Sequence, residues 1–208
     1  MSQRTRMDAR DRADQIVAHA TELIADKGYF GFSVGELAQR CGLSNAGLIH
    51  HIGSKERALQ MVLETRDRRD MAALGCAAPE GSGPGQPLGL LTAATGAAPP
   101  ADAGAAVLHR LVAHNATQPT IIRLYAILRA EALSEDHPSY DYFRQRDAQA
   151  VAAFEQLLTG AVRDPRTTAR ATLALMGGIE EQWLREPEQV DLVATWDAAY
   201  AALIAGSR

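Results

Sequence analysis

Residues 33–59 read SVGELAQRCGLSNAGLIHHIGSKERAL, and three helix starts fall within this one stretch. Ser33, with Glu36 three residues on, is a capping box, in which the hydroxyl and the carboxylate each satisfy an orphan backbone N–H. Ser44 is a second N-cap, and Ser54, followed by Lys55 and Glu56, is a third. Between the first two, Val34, Leu37, Ala38 and Cys41 recur at helical spacing, and Gly42 ends the run. Leu48 and Ile52 supply the inward side of the next helix. Two short helices joined by Gly42-Leu43-Ser44 have the proportions of a helix-turn-helix, with Leu43 plugging the corner and Ala38 small at the crossing. Such a unit presents the N-terminal end of its second helix to a DNA major groove. Here that end is Ser44, Asn45 and Ala46. Asparagine can pair bidentately with adenine, and an alanine methyl can meet that of thymine.

The pattern on either side is also helical. Upstream, Ala13, Ile16, Val17, Ala20, Leu23 and Ile24 form one apolar stripe, closed by the cation and glycine of Lys27-Gly28. Downstream, Ala58, Leu59, Val62 and Leu63 lead into the charged run ETRDRRD. Residues 75–101 are dense in Gly, Pro and Ala and read as a flexible loop with a short helix at 88–95. Helical patterns then return at 103–117, 119–133, 138–162, 165–185 and 189–205, with Pro119, Pro138, Pro165 and Pro187 at or near the breaks. No segment alternates at period two. The expected fold class is all-α.

The bulk composition alone does not announce a nucleic-acid partner: 208 residues, 47% hydrophobic, net charge −4. The distribution is more telling. Residues 1–75 hold eleven Lys/Arg against ten Asp/Glu, whereas residues 76–208 hold ten against fifteen. The acidic balance belongs to the C-terminal part, which leaves the N-terminal part free to carry a local basic face. Two cysteines, Cys41 and Cys76, make no disulfide framework and suit a reducing compartment. The N-terminus has no apolar run, and no stretch approaches the ~20 apolar residues of a membrane span. The reading is a cytoplasmic protein.

Residues 10–60 resemble the DNA-binding domain of the TetR family of bacterial transcriptional regulators. The likeness is carried by Gly28-Tyr29, Phe32-Ser33-Val34, Leu37-Ala38, Cys41-Gly42-Leu43-Ser44, His50-His51 and Gly53-Ser54-Lys55-Glu56. The resemblance implies a three-helix DNA-binding domain at 1–53 and a helical ligand-sensing and dimerisation domain at 54–208. It also implies a homodimer on a pseudo-palindromic operator, released by a small organic ligand. The family usually carries an aromatic at position 49 and a hydroxyl at 47, both touching phosphates. Ile49 and Gly47 cannot make those hydrogen bonds, so the expected DNA surface is Ser33, Ser44, Asn45, Ala46, His50, His51 and Lys55. Arg4 and Arg6, with Arg10 and Arg12, form an arm suited to a minor groove or simply to solvent.

Two other classes compete. Gly42-Leu43-Ser44-Asn45-Ala46 is one residue from a nucleophile elbow, which would make Ser44 a hydrolase nucleophile, but that motif needs a preceding strand. A helical adaptor without DNA binding would need neither Lys55 nor the arginine arm. Adjacent His50 and His51 diverge by about 100° on a helix and lack the i, i+4 spacing of a metal pair. Neither a catalytic set nor a metal site nor a cofactor is expected.

In the C-terminal part the candidate ligand contacts are His109, His114, Asn115, Tyr125, Glu131 and Trp183, polar or aromatic groups on otherwise apolar helices. The mixture suits an amphipathic organic molecule. The candidate dimer interface is an apolar stripe on each of the last two helices: Leu173, Met176, Gly177 and Glu180 on one, Val193, Trp196, Tyr200 and Ile204 on the other.

Overall fold

A computed structural model describes residues 8–73 and 101–207, and every regular element in them is a helix. In chain order these are α1 (Ala9–Gly31), α2 (Val34–Arg40), α3 (Asn45–Ile52), α4 (Lys55–Ala73), α5 (Ala101–Ala116), α6 (Pro119–Glu131), α7 (Tyr140–Leu158), α8 (Pro165–Arg185) and α9 (Leu192–Ser207). Arg4, Arg6, Cys76 and the proposed helix at 88–95 lie outside the described residues, as does nearly all of the expected loop at 75–101.

The starts of α2, α3 and α4 are where the sequence signals put them, whereas α7 is shorter than the expected 138–162 and α9 is shifted from the expected 189–205. Ser33 Oγ accepts from Glu36 N at 3.1 Å, Ser44 Oγ from Gly47 N at 3.1 Å and Ser54 Oγ from Arg57 N at 3.1 Å. Each hydroxyl satisfies an amide that the first helical turn leaves without a partner. Asp164 and Asp191 do the same for α8 and α9, accepting from Thr167 N and Ala194 N at 3.0 Å. Gly28, at φ 72° and ψ 176°, breaks α1, so that Tyr29 and the residues after it turn across the bundle. Gly42, at φ 64°, makes the turn between α2 and α3. Both conformations disfavour any residue bearing a Cβ.

Two buried clusters hold the chain together. The first joins Ile16, Leu23 and Ile24 of α1 to Leu37 of α2, Leu48 and Ile52 of α3 and Leu59, Val62 and Leu63 of α4. It then continues into Leu124, Tyr125 and Leu128 of α6 and Phe143 of α7. The second joins Leu108 and Val112 of α5, Phe154 and Leu157 of α7, Met176 and Ile179 of α8, and Leu192 and Trp196 of α9. Helix α6 therefore belongs with the N-terminal helices, and the extensive α1–α6 packing ties the expected DNA-binding unit to the rest.

Met176, Trp196 and Tyr200 of the expected dimer stripe are buried inside the protomer, while its other residues are partly exposed. Trp196 is 1% and Tyr200 8% exposed, stacked at 5.1 Å between centroids inside the second cluster, and Val193 and Ile204 pack against it. Met176 is buried, while Leu173, Gly177 and Glu180 line an internal cavity beside it. The stripes found by periodicity are the most apolar ones, and burial inside the protomer consumes those first.

Candidate DNA-binding surface and ligand cavity

Three polar ties fix the helix-turn-helix on α1. Lys27 Nζ meets Glu36 Oε1 at 2.6 Å, Arg40 Nη1 meets Glu22 Oε2 at 3.3 Å, and Arg12 Nη1 donates to Cys41 O at 3.2 Å. Arg12 thus belongs to the end of α2 rather than to a mobile arm. With Leu48 and Ile52 fully buried, α3 can show only its other side. Ser44, Asn45, Ala46, Ile49, His50 and His51 are all exposed on it. His51 is exposed like His50, and the two rings stand 5.8 Å apart edge to face. Asn45 lies close to Gly35, where an added Cβ would come within 3.7 Å of its amide. Ser33 is exposed beside it, so the N-termini of α2 and α3 open on one side.

Lys55 departs from expectation. Instead of projecting from the head of α4, its ammonium lies 4.5 Å from the Tyr29 ring centroid and 4.6 Å from that of Phe32. Burial lowers its pKa, against the pull of Glu56 and Glu131. A phosphate would have to draw it off two aromatic faces, a contact worth roughly 0.5–1 kcal/mol at an exposed site.

Glu131, expected among the ligand contacts, also lies elsewhere. Its Oε2 accepts the Tyr29 N–H at 2.8 Å and stands 3.5 Å from Nε2 of the fully buried His137 side chain. The His137 ring in turn packs edge-on against Tyr29 at 5.2 Å. Gly28 makes this approach possible, because a Cβ there would overlap the Glu131 carboxylate. This junction couples the end of α1 to the end of α6.

The cavity itself lies between α4, α5, α6, α7 and α8, with about 90 Å³ of free volume. Leu111, Ile122, Phe154 and Met176 form apolar walls, and Asn115, Tyr125 and Glu180 enter from three helices. Of the expected ligand contacts, Asn115 and Tyr125 meet here. His109 is exposed and holds Asp197 Oδ1 at 2.9 Å, joining α5 to α9 on the outside. His114 is absent from the cavity lining, and Trp183 borders a separate shallow depression with Ala116 and Val193.

Arg66 and Arg146 line the cavity too, and the sequence reading did not anticipate them. Asp67 Oδ1 accepts from Arg146 Nη1 at 3.1 Å and from the Tyr142 hydroxyl at 3.0 Å, and the Tyr142 and Tyr125 hydroxyls are 2.7 Å apart. Burial drives both tyrosine pKa values up, so they act as neutral hydroxyls. The Arg66 and Arg146 guanidinium groups stand 5.1 and 4.9 Å from the Tyr125 ring centroid. One signal in the sequence points to this arrangement. Continuing the inward stripe of α4 from Leu59, Val62 and Leu63 at helical spacing lands on Arg66 and Asp67. Among the described residues no group of three or more His, Cys, Asp or Glu is placed to hold a metal, and no helix is long and apolar enough to cross a membrane.

Residues 16–60 match the family model of bacterial regulatory proteins, tetR family, over the segment that builds α1 to α4. Residues 16–60 are a TetR-family segment. No curated protein matches the chain. Among solved structures, a transcriptional regulator from Rhodococcus sp. Rha1 aligns with a TM-score of 0.67 at 18% identity, covering 94% of this chain and 97% of its own. NalD, the secondary repressor of the MexAB-OprM multidrug efflux pump in Pseudomonas aeruginosa, aligns at 0.62 and 18%, covering 97% of each chain. AibR, in complex with isovaleryl coenzyme A and operator DNA, aligns at 0.64 and 19%, covering 93% of this chain and 98% of its own. At these identities the likeness speaks for the fold alone, and it extends over nearly the whole chain.

Proposed function

We propose that the protein is a homodimeric transcriptional repressor that leaves a pseudo-palindromic operator when a small organic molecule enters the cavity. The observation that carries the DNA half is the exposed N-terminal tip of α3, held rigid by Leu48 and Ile52 beneath it. Asn45 and Ala46 then read base edges, while Ser33, Ser44, His50 and His51 engage phosphates. Neutral imidazoles donate hydrogen bonds, so this contact does not need acid pH. Domains at 1–53 and 54–208 remain the functional division, joined through α4. In a fluorescence-anisotropy titration against duplex from the region upstream of its own gene, Asn45→Ala changes which sequences are preferred. Lys55→Ala weakens binding to every sequence and reduces the salt slope by about one unit, because a phosphate draws the ammonium off the Tyr29 and Phe32 rings at small cost. Unchanged binding in both variants would remove this surface from the reading.

A single recognition helix contacts too few base pairs for a unique site, which is the reason for a dimer. With the apolar stripes turned inward, the surface left for a partner is the outer face of α8 and α9. On α9 that face is Ala194, Ala198, Ala201, Ala202 and Ala205, and on α8 it includes Ala174 and Gly178. Small residues let helix backbones approach closely across a two-fold axis. An Ala198→Arg variant is expected to keep its helical circular dichroism and fall to half the mass in light scattering. A dimer that survives this change would place the interface elsewhere.

Support for ligand release comes from the size of the cavity and its position. About 150 Å³ holds a benzene ring, so roughly 90 Å³ admits only a compact group unless the walls move. One of those walls is Arg66 on α4, the helix that begins at the DNA-binding unit. A ligand that fits better with α4 displaced shifts the population toward the released state by that difference in affinity.

A further inference from the structure

The cavity contains one carboxylate that the structure leaves with a neutral partner alone. Glu180 Oε1 accepts from Asn115 Nδ2 at 2.7 Å, and no ion pair engages it among the described residues. The other acidic groups near the cavity are committed: Asp147 to Arg129 at 3.3 Å, Asp67 to Arg146 at 3.1 Å and Glu181 to Arg185 at 3.0 Å. Because Asn115 uses its amide nitrogen on Glu180, its Oδ1 is left facing outward from that bond. The residue is 6% exposed, and this oxygen has no hydrogen-bond partner. Two acceptors, an amide oxygen and a carboxylate, therefore sit together beside the apolar wall of Leu111, Ile122, Phe154 and Met176, in a cavity that Arg66, Arg129 and Arg146 also line.

We infer that this pair takes the ammonium group of a compact amine, with its hydrocarbon part against the apolar wall. An ammonium has donors for both acceptors and no lone pair to leave unsatisfied. It also supplies the charge that a buried carboxylate lacks when its only partner is an amide. Burial raises the pKa of Glu180, while the Asn115 hydrogen bond and the charges of Arg129, Arg66 and Arg146 pull the other way, and a cation at Glu180 would favour its charged form further. Arg129 Nη2 and Arg146 Nη1 are taken by Asp147 and Asp67, and Arg66 lies against the Tyr125 ring, so an anionic ligand competes with those carboxylates and is left chiefly Arg129 Nε, which has no hydrogen-bond partner. The inference rests on the reading of this cavity as the ligand site and names the chemistry it selects.

Three molecules of nearly equal shape test it: isobutylamine, protonated at neutral pH, isobutanol and isobutyrate. Binding to the free full-length protein is followed by NMR titration and thermal shift. Isobutylamine is expected to bind more tightly than either of the others. Glu180→Gln, which keeps size and hydrogen bonding, should weaken isobutylamine by about tenfold or more, the loss of one charge-assisted contact. The same variant should leave isobutanol within about twofold. Equal binding of all three, preference for isobutyrate, or no binding by any of them would overturn the inference without reference to a mutant. Release of operator DNA is measured separately. An amine that binds through Glu180 yet leaves DNA bound refutes the induction reading and sustains this one.

Discussion

Replacing Asp67 by alanine is expected to destabilise the protein by about 3–5 kcal/mol, the usual cost of removing one partner from a buried ion pair. Asp67 is 7% exposed and Arg146 9%, and the carboxylate accepts from both the Arg146 guanidinium and the Tyr142 hydroxyl. Deleting it strips a buried cation and a buried hydroxyl of an acceptor in one step. Chemical denaturation followed by circular dichroism measures the loss. A cost below about 1 kcal/mol would mean that solvent reaches the pair and that the network is not buried in solution. The same substitution bears on function, because Asp67 anchors α4 to α7 directly under the cavity. In a variant that stays folded, ligand should change DNA affinity by a different factor from that in the wild-type protein.

Trp196→Ala is the second large effect, at about 3–5 kcal/mol for an aromatic removed from a packed interior. Trp196 is 1% exposed, and its ring stacks on Tyr200 within the cluster that joins α5, α7, α8 and α9. The prediction separates two roles that sequence periodicity confounds. An interface tryptophan, once truncated, yields a folded monomer. A core tryptophan yields a protein that melts earlier whatever its association state. Paired with Ala198→Arg, which acts on the outer face of the same helix, the two variants assign opposite sides of α9 to opposite tasks. A folded, fully stable Trp196→Ala monomer would reverse that assignment.

Much of the architecture is legible in the sequence. Ser33, Ser44 and Ser54 each cap a helix because their hydroxyls serve amides three residues away, and such short-range bonds depend on local spacing. The helix-turn-helix was legible for the same reason, with Gly42 turning the chain and Leu48 and Ile52 marking the inner side of α3. Identifying the ligand cavity was harder. Asn115 and Tyr125 enter it, but His109 reaches Asp197 and Glu131 reaches Tyr29, so a polar group on an apolar helix has more than one destination. Arg66 and Asp67 are hard to place from sequence because charge suggests solvent. Their place on the inward stripe of α4 was the better guide, and a buried charge network is what happens when polar residues occupy core positions with partners at hand.

The sequence by itself determined an all-helical chain, the limits of its N-terminal helices and the open tip of α3, since caps, turns and 3.6-residue periodicity act within a few residues. Tertiary structure alone decided which stripe of α8 and α9 turns inward and which carboxylate is left for a ligand. It also decided that Glu131 joins a backbone amide 102 residues away. Those outcomes depend on which surfaces compete successfully for burial, and that competition involves every helix at once.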